Sequence, residues 1–260
     1  MTTQSSTWVS LALTLAVACT AEAPGVDLPV PLPAPDEPDE SEPDDPTPGG
    51  PRGDEEPLQI LPLGDSITVG GPFTYRYALH NLLSEAELSF GFVGSDDWVD
   101  LDLYPADGWD RDHEGHGGWT TGDIDDELET FLAGYTPDVV LVHLGTNDAS
   151  DVVNNGASLR TSEAAMTSIV EKLRADNPSV AIYLAQIIPF ETSNVELNET
   201  VDDWNQRLAQ LSSGLDTSSS PISLVDMNTG FGDADLNDGV HPNEQGAARM
   251  AQAWAEALLP

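Results

Sequence analysis

The sequence predicts a three-layer α/β/α sandwich around a central, mostly parallel, five-stranded sheet. Three observations support this fold class. Short runs of Val, Ile and Leu end abruptly in Gly or Pro, as do strands buried on both faces of a parallel sheet. Longer stretches with apolar residues at helical spacing lie between these runs. Strands that alternate with helices form right-handed βαβ units, which place helices on both faces of one sheet.

Five apolar runs are predicted to be strands. The first ends at Gly64 and the third at Gly145, and both are long and continuous. The second and fifth runs are weaker, because they are shorter or less apolar. The predicted strands cover residues 58–63, 88–93, 138–144, 180–188 and 222–225.

Five intervening stretches are predicted to be helices. The fourth has the clearest amphipathic pattern, since a single apolar stripe runs along it. That stripe consists of Leu197, Val201, Trp204, Leu208 and Leu211. The predicted helices cover residues 74–84, 122–133, 159–176, 196–213 and 243–258. In such folds the reacting side chains lie beyond the carboxyl ends of the strands.

The N-terminal region has the pattern of an export signal. Residues 1–18 contain an apolar run of about half the length that spans a bilayer, and Cys19 follows directly. The stretch 15–19 resembles the lipobox of bacterial lipoproteins, which implies that diacylglycerol is attached to Cys19. Ordinary signal cleavage after Ala18 or Ala23 is the alternative. We therefore expect an exported protein that is either membrane-anchored or secreted.

Residues 19–57 are expected to be a disordered linker, and residues 58–260 the folded domain. The linker is dense in Pro, Asp and Glu and has no large apolar residue after Leu32. Such a segment buries too little apolar surface to offset its ordering entropy. Its prolines and like charges favour an extended tether.

Composition excludes several functional classes. The chain has 46 acidic and 8 basic residues and a formal net charge of -38, so nucleic acid is not an expected partner. Cys19 is the only cysteine, which rules out an intrachain disulfide, a Cys-based metal site and a Cys nucleophile in the folded domain.

The stretch 64–70, Gly-Asp-Ser-Ile-Thr-Val-Gly, directly follows the first predicted strand. A serine in this position presents its hydroxyl at the carboxyl edge of the sheet. The turn that follows can aim the Ser66 N–H at a developing oxyanion. A serine needs a neighbouring base to become a good nucleophile. Alone, the tripeptide Gly-Asp-Ser is weak evidence, and a plain strand-to-helix turn is the favoured interpretation of it.

The base is predicted in the stretch 238–243, Asp-Gly-Val-His-Pro-Asn. Histidine is suited to proton transfer near neutral pH. Asp238, three positions earlier, can fold back to accept the Nδ1–H of His241, which fixes the tautomer and supports the imidazolium that forms during attack. The alternative is a helix-entry turn with an incidental histidine.

Two further stretches offer oxyanion donors. Asn147, in Gly-Thr-Asn-Asp at 145–148, closes the third strand and has a side-chain NH2, although Asx-turn chemistry is the simpler interpretation. The stretch 113–120 is rich in glycine, so its backbone can approach a ligand closely. His113 and His116 have i, i+3 spacing, but the segment has the composition of a loop and we predict no metal site.

In chain order, these four stretches resemble the SGNH (GDSL-like) hydrolases, a superfamily named for its Ser, Gly, Asn and His. The resemblance covers residues 58–260 and implies a flavodoxin-like version of the sandwich. It also implies a catalytic triad in which Ser66 is the nucleophile and Asp238 and His241 are the acid and the base. No cofactor is required by this chemistry.

The same resemblance implies an oxyanion hole. Its donors are the backbone N–H groups of Ser66 and Gly118 and the side chain of Asn147. Gly115 and Gly117 are close alternatives to Gly118, because the three glycines lie within four residues.

Within the superfamily, the stretches 61–68, 113–119 and 145–148 look like those of bacterial acetyl xylan esterases. The resemblance implies a serine esterase acting on O-acetyl groups of a polysaccharide such as xylan. Trp119 would then bind a sugar ring, or would be a partly buried packing residue. The alternatives are a lysophospholipase or short-chain lipase, and a surface carbohydrate-binding module with a decayed site. Any membrane contact is expected only through a lipid at Cys19.

Overall fold

Six parallel strands form one sheet in the computed structural model, which describes residues 56–259. Five of them follow the order β2-β1-β4-β5-β6, and the two-residue strand β3 pairs with β1. The strands are β1 Leu58–Gly64, β2 Phe90–Phe92, β3 Glu114–Gly115, β4 Val139–His143, β5 Ala181–Gln186 and β6 Ile222–Asp226. Every strand pairing in the sheet is parallel.

Seven α-helices and one short 3-10 turn, Asp233–Asp235, surround the sheet in the described part of the chain. The helices are α1 Ser66–Val69, α2 Tyr75–Glu85, α3 Thr121–Leu132, α4 Thr146–Asn155, α5 Leu159–Asp176, α6 Val195–Leu215 and α7 Glu244–Leu258. None of the helices between residues 56 and 259 is long and apolar enough to cross a bilayer.

The two faces of the sheet bury two separate apolar cores. Because side chains alternate along a strand, Leu61 and Val140 face one core and Ile60 and Leu141 face the other. The first core contains buried residues of α3, α5 and α6, and the second contains those of α2 and α7. Helices therefore cover both faces, which confirms the predicted α/β/α sandwich.

The predicted elements are found close to their expected positions, and four elements are additional: β3, α1, α4 and the 3-10 turn Asp233–Asp235. β3 has two residues and α1 has four, so neither is long enough to show a hydrophobic period. Helix α4 lies in 146–155, where the sequence is polar and only a turn was expected. The expected signal peptide, Cys19 and all but the last two residues of the linker lie outside the described residues.

The register of β1 positions the loops that carry the predicted motifs. β2 pairs with its first half at Leu58–Ile60, and β3 pairs with its end at Leu63 and Gly64. On the other side, Gly64 is paired with His143, the last residue of β4. The segments that follow β1, β3 and β4 therefore leave the sheet side by side at one edge.

Candidate active site

Ser66 is the first residue of the short helix α1, which is separated from β1 by one residue. Asp65 precedes it as the N-cap, and Asp65 Oδ1 accepts a hydrogen bond of 2.9 Å from the Ile67 N–H. The helix ends at Gly70, which adopts the left-handed conformation. This tight strand–turn–helix leaves Ser66 half-buried at the sheet edge, while the residues on both sides of it are fully buried.

Ser66, His241 and Asp238 form one line of hydrogen bonds. His241 Nε2 lies 2.9 Å from Ser66 Oγ, and His241 Nδ1 lies 2.9 Å from Asp238 Oδ2. A carboxylate accepts hydrogen bonds, so Nδ1 carries the proton and Nε2 presents its lone pair to the serine hydroxyl. The structure thus brings together the three predicted residues in the arrangement that base-assisted attack by a serine requires.

Asp238 is held as a carboxylate by the turn that it closes. Its Oδ1 accepts hydrogen bonds from the backbone N–H groups of Val240 at 3.1 Å and His241 at 2.8 Å. Partial burial favours the protonated acid, but the hydrogen bonds from the backbone and ring of His241 outweigh it and lower the pKa of Asp238. The negative charge beside His241 is therefore retained.

The loop that carries this pair is anchored at both ends. The Asn237 N–H donates to the His241 carbonyl at 2.8 Å, which closes a tight turn around Asp238. Asn243 caps helix α7 by accepting from the Gly246 N–H at 3.0 Å. These bonds fix the approach of His241 to Ser66 from the start of α7.

The glycine-rich stretch forms a turn beside Ser66. The Trp119 N–H donates to the His116 carbonyl at 3.2 Å, with Gly117 and Gly118 as the central residues. Gly118 has φ +83°, which the third position of a type II turn requires and which favours glycine. The His116 N–H donates to the Gly64 carbonyl at 2.9 Å, so the turn is attached to the end of β1.

Two of the three glycines, Gly117 and Gly118, remain candidates for the predicted oxyanion donor. The Gly115 N–H already donates to His113 Nδ1 at 2.9 Å. In contrast, the N–H groups of Ser66, Gly117 and Gly118 make no hydrogen bond with any residue between 56 and 259. A Cβ built on Gly117 would lie 4.0 Å from the Ser66 Cβ, whereas one built on Gly118 would have no neighbour within 4 Å. Both N–H groups lie in the turn beside Ser66.

Asn147 contacts the same turn from the other side. It is the second residue of α4, and its Nδ2 donates to the Trp119 carbonyl at 2.8 Å. The amide has a second hydrogen, which is available to a ligand. The position of α4 depends on Gly145, whose φ is +130° and whose missing side chain makes room for Trp204.

His113 and His116 have structural partners rather than a shared ligand. Burial lowers the pKa of His113 to about 3, so the ring is neutral. His116 Nε2 is paired with Glu114 at 2.6 Å, and Tyr135 also hydrogen-bonds this buried carboxylate. No group of three or more His, Cys, Asp or Glu side chains between residues 56 and 259 is arranged to hold a metal ion.

A cavity of about 440 Å³ opens beside Ser66. Trp119 lines it, but one face of its ring stacks on His116 at 4.2 Å and it packs against the larger core. Sequence reasoning missed Trp98 and Asp96, which also line this cavity, because no motif marks them. The cavity is lined by Ser66, Val69, Gly71, Asp96, Trp98, Gly115, His116, Gly117 and Trp119.

The matches to known proteins cover the part of the chain that carries these residues. The model of the GDSL-like Lipase/Acylhydrolase family matches residues 63–249. A multidomain esterase of Ruminococcus flavefaciens is 29% identical over 226 residues, which cover 77% of this chain and 28% of that relative.

Two solved structures are similar over most of their length. An acetyl esterase mutant with an acetate ion is 29% identical, with a TM-score of 0.70, and the match covers 78% of this chain and 96% of that one. A carbohydrate esterase of family 3 from Talaromyces cellulolyticus is 30% identical, with the same TM-score of 0.70 and the same coverage of 78% and 96%.

Proposed function

We propose that this chain, which belongs to the GDSL-like Lipase/Acylhydrolase family, is an SGNH-type ester hydrolase that removes acetyl groups from a neutral polysaccharide such as xylan. The observation that carries the proposal is the line of hydrogen bonds from Ser66 through His241 to Asp238, at the edge of an open cavity. The similar acetyl esterase and carbohydrate esterase support the substrate class.

The proposed first step forms an acetyl-enzyme. His241 Nε2 accepts the proton of the Ser66 hydroxyl while Oγ bonds to the acetyl carbonyl carbon and the carbonyl electron pair moves onto oxygen. The Asp238 carboxylate, 2.9 Å from Nδ1, stabilises the imidazolium. His241 then gives its proton to the sugar oxygen as the bond between that oxygen and the acetyl carbon breaks.

In this proposal, three hydrogen-bond donors stabilise the oxyanion. The N–H group of Ser66, an N–H of the Gly117–Gly118 pair and the second amide hydrogen of Asn147 are available for it. Preorganised donors of this kind need no rearrangement when charge develops on the carbonyl oxygen, and they contribute substantially to acyl transfer.

The second step releases acetate. His241 accepts a proton from water as the water oxygen bonds to the acetyl carbon, and collapse of this intermediate breaks the bond to Ser66 Oγ. The imidazolium returns the proton to Oγ. Protons and electrons balance without a cofactor, and the enzyme regains its initial state.

The substrate is tested by comparing three ester classes at equal enzyme concentration. We expect turnover of acetylated xylan, and p-nitrophenyl esters that are hydrolysed fastest at the acetyl end of a chain-length series. Net charge of -38 should disfavour uronate-rich polymers. Faster hydrolysis of octanoyl than acetyl esters, or turnover of a lysophospholipid alone, supports the lipase alternative. No turnover of any substrate supports a carbohydrate-binding module.

We further propose that the protein is exported and that lipid on Cys19 anchors it to a bacterial membrane, with residues 24–57 as the tether. Extended at about 3.1 Å per residue, such a tether reaches on the order of 100 Å from the bilayer. Fractionation of bacteria that express wild type or Cys19→Ala tests this. Wild type should stay with membranes and the variant should be released. Release of both, with a mature N-terminus at Pro24 or later, replaces the anchor with ordinary secretion.

A further inference from the structure

We propose that Trp98 is the platform on which a neutral sugar ring lies while its acetyl group reaches Ser66. This inference rests on the proposed function and names the residue that recognises the alcohol part of the substrate. An acetyl group has two carbon atoms, so it occupies a small part of the cavity of about 440 Å³ that both residues line. The remaining space is available to the sugar.

The backbone of Trp98 is fixed by buried polar groups. Its carbonyl accepts hydrogen bonds from Arg76 Nη2 at 2.9 Å and His113 Nε2 at 3.3 Å, and both of these side chains are fully buried. His113 Nδ1 accepts from the Gly115 N–H, so Nε2 carries the proton that it donates to Trp98. The same histidine thus connects Trp98 to the glycine-rich turn beside Ser66.

The indole of Trp98 is exposed despite this anchoring. The residue is 48% exposed, and the edge of its ring lies beside Gly71, where an added Cβ would meet the indole at 3.7 Å. A rigid backbone that presents a large aromatic face to a cavity loses little conformational entropy on binding. Trp119 is a poorer platform, because its ring already stacks on His116.

Asp96 supplies the polar part of the proposed subsite. Its Oδ1 accepts from the Trp98 N–H at 2.9 Å, and its backbone pairs with His113 on both sides of an antiparallel bridge. The exposed carboxylate lines the same cavity as the indole. An apolar ring beside a fixed hydrogen-bond acceptor matches a pyranose, which has an apolar C–H face and a rim of hydroxyl donors. A negative charge at this place disfavours an anionic sugar.

The test compares acetylated xylo-oligosaccharides with triacetin, an acetyl ester without a ring. For Trp98→Ala, kcat/KM on the oligosaccharides should fall about tenfold, mainly through KM, because a stacking contact of this kind is lost. Trp98→Phe should retain most of the activity. On triacetin, which has no ring to stack on the indole, each variant should lose less of its kcat/KM than on the oligosaccharides. Leu101→Ala is the matched control, since Leu101 is an exposed apolar residue of the same segment that does not line the cavity.

An unchanged KM on the oligosaccharides, or an equal loss on both substrates, overturns the role of Trp98. Calorimetric titration of Ser66→Ala protein with unacetylated xylohexaose measures sugar binding without any reaction. It therefore distinguishes failure of the Trp98 platform from failure of the proposed deacetylation. Binding that disappears in the Ser66→Ala/Trp98→Ala double variant supports the platform even if acetylated oligosaccharides prove not to be hydrolysed. Absence of binding, or binding that survives loss of Trp98, overturns it.

Discussion

His241 Nε2 lies 2.9 Å from Ser66 Oγ, although 175 positions separate the two residues in the chain. Ser66 follows β1, while His241 follows β6, and β4 and β5 lie between these two strands in the sheet. The segment between β6 and α7 therefore has to cross the carboxyl edge of the sheet to bring the histidine to the serine. The hydrogen bonds within this segment keep the His241 side chain within hydrogen-bond distance of Ser66.

Replacing Asp238 with Asn should reduce kcat for acetyl ester hydrolysis by about 10³–10⁴-fold. An amide that turns its N–H towards Nδ1 favours the wrong tautomer, and a neutral amide does not stabilise the imidazolium. Asp202→Asn, an exposed acid on α6, serves as the control and should behave as wild type. Steady-state kinetics that show a loss of less than tenfold for Asp238→Asn would contradict the triad.

Asn147→Ala should lower kcat by about 10²–10³-fold and leave KM nearly unchanged, as for other single oxyanion donors. The change also removes the hydrogen bond to the Trp119 carbonyl, so the thermal midpoint has to be measured in parallel. Asn155→Ala, at the other end of the same helix, is the matched control. An effect confined to KM would make Asn147 a substrate-binding residue instead.

Gly145→Ala should destabilise the fold by about 3 kcal/mol or more, because the new methyl overlaps a buried ring. Its Cβ would lie 2.0 Å from Trp204 Nε1, which donates a hydrogen bond to the Leu144 carbonyl at 3.0 Å. Gly156→Ala, at the C-cap of the same helix, also has positive φ but no atom within 4 Å. It should cost only about 1–2 kcal/mol in urea unfolding. Equal losses would show that overlap with Trp204 is unimportant.

His143 should make the fold less stable as the pH falls below neutrality. Burial lowers its pKa from 6.5 to about 4, so between these values the unfolded chain binds a proton that the folded protein does not. The free energy of unfolding should therefore lose about 1.4 kcal/mol per pH unit in this window relative to His143→Gln. Above pH 7 the histidine is neutral in both states, and the difference between the two proteins should be constant. A difference in free energy of unfolding between the two proteins that stays constant down to pH 4 would contradict the lowered pKa of His143.

The sequence alone was sufficient to predict the main strands of the sheet and the candidate site residues that follow them. Continuous apolar runs ending in glycine located β1 and β4, and the order of Ser66, Asn147 and His241 along the chain matched a known pattern. The parts that could not be predicted depend on contacts between distant segments. β3 forms because Glu114 and Gly115 pair with the end of β1. A strand of two residues is too short to show a hydrophobic period in the sequence.

The contact between Trp98 and Arg76 is a second feature that could not be predicted from the sequence. Nothing in the local sequence indicates that a buried guanidinium reaches the Trp98 carbonyl across 22 positions and holds an exposed indole beside the serine. Which of Gly117 and Gly118 donates to the oxyanion also depends on the turn that they form. The sequence does not distinguish them, because they are adjacent and both are glycine.

The most direct test of the central claim is covalent trapping of the nucleophile. The protein is incubated with a diethylphosphoryl ester, which serine hydrolases attack and release slowly, and the labelled peptides are identified by mass spectrometry. We expect one adduct per chain, on Ser66, with loss of esterase activity in proportion to labelling. Ser66→Ala should remain unlabelled and inactive, and His241→Ala should label orders of magnitude more slowly because the serine then lacks its base. An adduct on another residue that accompanies inactivation, or full activity in folded Ser66→Ala protein, would contradict the account.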